Sequence, residues 1–208
     1  QNLLEKRSPK NEWHLFLSPA GSRMRPSLIV WNEKGEIRNN VPIDALLEYG
    51  RDYRMDFEIG KAGRVRLRLD GAAILDTDLK EPLALDRSPV RIGGVMRGVV
   101  HSVSLYTDPL PPRRKAAPPV AAVQPAAGFL NGVSAGLTNH GAVPVEEKAG
   151  RKSFRFDNDA KRFLSAALQG EQVVSGEIEF CIEPGATMPR QNLLEKRSPK
   201  NEWHLFLS

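Results

Sequence analysis

The sequence predicts an all-β protein, an antiparallel β-sandwich of jelly-roll type, and three observations carry that expectation. Apolar residues recur at period two in several separate segments, those segments are short, and the stretches between them are rich in Gly, Pro, Asn and Asp. Many short strands joined by tight turns are what two stacked antiparallel sheets require. A length of 208 residues with 40% hydrophobic content is enough for one core of ordinary size.

Taken along the chain, strands are expected from Trp13 to Leu17 and from Ser27 to Trp31. Only Pro42 to Leu47 suggests a helical turn. From Asp52 the alternation is strict: Tyr53, Met55, Phe57 and Ile59 fall between Asp52, Arg54, Asp56 and Glu58, and Val65, Leu67 and Leu69 between Arg64, Arg66, Arg68 and Asp70. With Lys61-Ala62-Gly63 as a three-residue loop and Gly63 left-handed, Glu58 faces Arg66, Asp56 faces Arg68 and Arg54 faces Asp70. Every charged pair is then complementary, whereas a shift by two would set Arg54 against Arg68. Further strands are expected at Pro89 to Ile92, at Val99, Val103 and Leu105 up to Tyr106, at Ser153 to Phe156, and at Arg162 to Ala166. A last one has Ile178, Phe180 and Ile182 alternating with Glu177, Glu179, Cys181 and Glu183.

Lys and Arg number 30 against 25 Asp and Glu, a formal charge of +5 with the two signs interspersed, which implies no nucleic-acid partner. No apolar run approaches the roughly 18 residues of a membrane span. The single Cys181 excludes an internal disulfide framework and a zinc-type ligand cluster.

Residues 1 to 18, QNLLEKRSPKNEWHLFLS, recur unchanged as residues 191 to 208. The chain reads like a cut circle with overlapping ends: a circular permutation, a piece of a tandem array of identical units, or an error in assembling the sequence. A fold with one place for this segment has two candidates for it. The excluded copy is expected to be disordered, to pair at an exposed sheet edge, or to enter another chain, so strand exchange and self-association are anticipated. The stretch 109 to 127 carries six of the 16 prolines and no hydrophobic period, and reads as an extended linker whose Arg113-Arg114-Lys115 run is solubilising. It divides one expected sandwich into a portion 1 to 108 and a portion 128 to 208.

Read from Gly128 to Arg190 and on into Gln1 to Asp108, the chain resembles a laminin-G-like, concanavalin-A-like domain. The pieces that carry the resemblance are Ser153 to Asp159, Gly176 to Pro184, Asn2 to Lys6 or its copy Asn192 to Lys196, Val65 to Gly71, Arg91 to Gly94, and Gly98 to Tyr106. Cys181 stands where an aromatic is common in that family, and the order of the pieces is rotated. The resemblance implies a module outside the cell or at its surface, with carbohydrate as ligand class. It also brings in glycoside hydrolases of the same fold, whose catalytic strand carries Glu-x-Asp-x-Glu. Glu177 and Glu179 share a face, but Glu183 lies four residues further on and the central Asp is Glu, so the strand reads as a solvated face.

Two other sets of residues invite chemistry. Arg64, Arg66 and Arg68 project one way at a pitch of about 7 Å, suited to an anionic polymer, for which the resemblance implies an acidic, often sulfated, glycan, although the hairpin register neutralises them locally. Asp157, Asn158 and Asp159 offer oxygen donors to calcium, and Asx turns explain the same residues without an ion. His14, His101, His140 and His204 are scattered, and no Ser-His-Asp or Cys-His site can be argued from them. The sequence therefore points to a noncatalytic binding or adhesion module that takes a glycan or protein ligand and needs no cofactor. A structural or protein-interaction domain of a larger surface protein is the competing reading.

Overall fold

In the computed structural model, residues 1–6, 13–32, 34–83, 85, 89–93, 95–110, 125–131, 133–168, 172–184, 195–198 and 201–204 are described. The first part of the chain contributes β1 (Asn2–Lys6), β2 (Trp13–Ala20), β3 (Arg23–Trp31), β4 (Ile37–Pro42), β5 (Leu47–Glu48), β6 (Asp52–Gly60), β7 (Arg64–Leu69), β8 (Ala72–Asp78), β9 (Val90–Gly93) and β10 (Arg97–Tyr106). After the proline-rich stretch come β11 (Ala127–Leu130), β12 (Val133–Ala135), β13 (Leu137–His140), β14 (Val145–Lys148), β15 (Arg151–Asp157), β16 (Phe163–Ala166), β17 (Val173–Ile182), β18 (Glu195–Ser198) and β19 (Asn201–His204). Residues 111–124 of the expected linker lie outside the described residues, and its last residue, Ala127, is already buried strand.

Strands β1 to β17 form two antiparallel sheets packed as a sandwich. One is ordered β13-β16-β9-β1-β2-β3-β4, with β5 also on β3; the other is ordered β12-β11-β10-β17-β6-β7-β8, with β15 on β10 and β14 on β15. Both portions of the chain enter both sheets, since β16 pairs with β9 in the first and β10 is flanked by β11, β15 and β17 in the second. The main core is shared by the two layers, drawn from Trp13, Leu15 and Leu28 on one side and Phe57, Leu67 and Phe180 on the other, and Phe16, Ile29 and Trp31 form a second, smaller cluster. Trp13 packs on Phe57 across the layers at 5.7 Å between ring centroids. Both are closed to solvent.

The hairpin β6–β7 has the register its charges dictate: Asp56 faces Arg68, Phe57 faces Leu67 and Glu58 faces Arg66. Gly63 is left-handed at φ 98, and the Arg54 N–H donates to the Asp70 carboxylate at 2.9 Å. Tyr53, Met55, Phe57, Val65 and Leu67 are buried, while Leu69, near the strand end, is half-buried against the core. Two expectations need correction. Residues 43–46 form no helical turn. Ile43 donates to the Pro26 carbonyl at 3.0 Å, Leu47 begins β5 against β3, and burying both side chains in the core overrides local propensity. In β10 the inward residues are Val100, Val103 and Leu105, because a bulge between Val100 and Ser102 resets the phase; Val99 faces the other way.

The first copy of the duplicated segment lies inside the first sheet, with β1 on β9 and β2 on β3. Leu3, Leu4, Trp13, Leu15 and Leu17 are all core residues. Residues 191–194, 199–200 and 205–208 of the second copy lie outside the described residues. Among its described residues β18 pairs with β19 as a separate two-stranded sheet, and the hairpin keeps its own hydrogen-bonded ladder.

Candidate functional site

The outer face of the larger sheet carries a groove of about 700 Å³. Its geometry begins at the β10 bulge, which turns His101 sideways across the sheet. The imidazole Nδ1 lies 2.7 Å from Ser153 Oγ on β15, and Nε2 lies 2.9 Å from Asp52 Oδ1 at the start of β6. Between β10 and β6 runs β17, where Cys181 pairs with Val99 on one side and Asp52 on the other. A small side chain at that point leaves the depression that His101 spans. Ala149 of the β14–β15 turn lies on the rim, and it and the following Gly150 are both at positive φ.

The walls are charged groups held against one another. Arg155 Nη2 lies 2.5 Å from Glu183 and its Nη1 lies 3.4 Å from Glu146. Arg151 bonds Glu179 and lies 3.8 Å from Asp52. Beyond the groove Arg54 holds Glu177 at 2.5 Å, and Ser102 donates to Glu179 at 3.0 Å. Each of the three glutamates is thus turned onto an arginine, and Glu183 lies past the end of β17. The row that invited comparison with a hydrolase is a laced sheet face.

Cys181 sits half-buried as a free thiol on the groove floor. Burial first, and then the charges of Asp52 and Glu183, push its pKa up, so it is held as the neutral thiol.

Sequence reasoning found no Ser-His-Asp arrangement, yet the fold assembles one from Asp52, His101 and Ser153. Its exposure runs opposite to that of a nucleophilic triad, which presents serine to the substrate and shelters the carboxylate. Here Ser153 is 4% exposed and the Asp52 side chain 60%. The three side chains act as a clamp across β15, β10 and β6. The local signal for it was the odd spacing of Val100 and Val103, which marks the bulge. The partners lie about 50 residues apart and come together only through strand pairing.

Two arginines of the stripe are paired on the sheet, Arg66 at 3.1 Å from Glu58 and Arg64 with Asp76, while Arg68 stands opposite Asp56, whose carboxylate lies 3.5 Å from Arg54. None of the three lines the groove. Asp157 and Asp159, expected as calcium ligands with Asn158, are both held by protein groups. The Arg162 guanidinium reaches Asp157 at 2.7 Å and Asp159 at 3.7 Å, and the Lys161 N–H donates to Asp159 Oδ1 at 2.9 Å as an Asx turn. Asn158 is left-handed, donates its N–H to Met96 O at 2.7 Å, and keeps Oδ1 buried. Among the described residues no group of three His, Cys, Asp or Glu could hold a metal ion. His14 packs on Trp31, and His140 packs on Phe163 and bonds Ser165. The His204 side chain lies outside the described residues.

No family model matches the chain, and neither a curated protein nor a solved structure matches it.

Proposed function

We propose that the protein is a noncatalytic binding module whose ligand is a carbohydrate held in the groove over Cys181. The observation that supports this reading is the lining of the groove: an open depression in which the planar groups of Asp52, His101, Arg151, Arg155 and Glu183 hold one another in place. Pre-ordered planar donors and acceptors suit the paired hydroxyls of a sugar, and little side-chain freedom is lost on binding. The resemblance to laminin-G-like domains in rotated order points to the same ligand class, on analogy alone.

A glycan array tests the proposal. Reproducible hits are expected from the parent chain, weakened at least tenfold by Arg151→Ala with folding intact. A blank array from folded protein, or hits indifferent to Arg151, sinks it. The competing reading, a protein-interaction domain, is favoured by Leu130 and Val133, which pair at the β11–β12 turn and are 61% and 72% exposed. A blank array combined with self-association or partner binding abolished by Val133→Ser would favour it.

A further inference from the structure

The place between β9 and β3 is filled by the hairpin of residues 1 to 18, and an identical sequence lies at residues 191 to 208. Two observations connect them. The first is register. In the seated copy Glu5 faces His14 and Lys6 faces Trp13; in the second copy Glu195 faces His204 and Lys196 faces Trp203. Both copies adopt the same pairing, although only one has neighbours in a sheet. The hairpin therefore carries its own register and can move as a preformed unit.

The second observation is proximity. β17 ends beside the slot: the Glu183 N–H donates to the Arg97 carbonyl at 3.1 Å, and the Arg97 N–H donates to Gln1 Oε1 at 3.3 Å. One residue, Arg97, thus bonds both the end of β17 and the first residue of the seated hairpin. Seven residues, 184 to 190, separate Glu183 from Gln191. Extended, such a segment reaches roughly 25 Å, and both ends it must join are bonded to Arg97.

We propose that the C-terminal hairpin, residues 191 to 208, exchanges with residues 1 to 18 for the slot between β9 and β3 of its own chain. The contacts inside the slot are the same for either copy, because the sequences are the same. What differs is the connection. The first copy continues through Pro19 and Ala20, which pair with Met24 and Arg23 and enter the tight turn at Gly21. The second is tied to β17 through 184 to 190. Exchange within one chain carries no cost of association, so it prevails over entry into a second chain at ordinary protein concentration. The seated state gives the chain order 1 to 182; the exchanged state joins β17 directly to the slot, the order expected from the family resemblance.

The test uses the full chain and a charge placed in the core. Trp13 is buried against Phe57, so Trp13→Asp excludes the first copy from the slot. Exchange within the chain predicts that Trp13→Asp and Trp203→Asp each keep a cooperative melt and the monomer mass by light scattering, whereas the double variant loses the melt. A Trp13→Asp chain as unfolded as the double variant overturns the proposal. So does a folded Trp13→Asp chain whose mass rises with concentration, since that is entry into a second molecule. A folded double variant overturns it as well, because the slot would then need neither hairpin.

Discussion

Cys181 shapes the groove by what it lacks. Its side chain leaves space under His101, and the same position, half-buried and beside Asp52 and Glu183, keeps its proton. A thiol whose folded pKa is raised stays neutral to higher pH than in the unfolded chain, and folding stability is lost as pH rises above the unfolded value. We therefore expect iodoacetamide to modify Cys181 slowly at pH 8. The pH profile of the rate should rise at higher pH in the folded chain than in urea, and Asp52→Asn should move that rise downward. A folded-state profile superimposable on the unfolded one would remove the electrostatic account of this site.

At the scale of one hairpin, neighbouring side chains of β7 should differ sharply in what they contribute. Leu67 is fully buried, so Leu67→Ala removes core atoms and leaves a cavity, at a cost of about 2 to 5 kcal/mol. Arg66 lies between Glu58 and Asp76 on the exposed face, and such pairs contribute about 0.2 to 1 kcal/mol. Urea denaturation of both variants checks the contrast; an Arg66→Ala loss as large as that of Leu67→Ala would show that the ladder holds the hairpin. This hairpin was legible in the sequence because two independent patterns, alternating burial and complementary charge, agreed on one register. β8 was not, since Ala72-Ala73-Ile74-Leu75 has no alternation and a bulge opposite Leu67 and Arg68 breaks its pairing. The groove escaped for a related reason. Asp52, His101, Ser153 and Cys181 belong to four strands that meet only through the pairing of β10 with β15 and β17 and of β17 with β6, and no local pattern encodes that order.

For the whole molecule, the interleaving of the two portions has a direct test. Because β10 is held by β11, β15 and β17, and β9 by β16, neither portion owns a complete sheet. Cutting the chain at a protease site placed within residues 111 to 124 should therefore leave fragments that co-elute in gel filtration and separate only in denaturant. Fragments that part in buffer would mean that the tether, and not the shared core, keeps them together.

The seated hairpin also sets an order in time. In any chain of this sequence, residues 1 to 18 and both flanking strands, β3 and β9, leave the ribosome before residues 191 to 208 exist. At about 5 to 20 residues per second, the 115 residues from Gly93 to Ser208 give the first copy a lead of roughly 6 to 23 seconds. Two segments of identical sequence thus meet their common site as early and late arrivals. A newly made molecule inherits its arrangement from the direction of translation, and one refolded from denaturant, with both copies present from the start, inherits nothing.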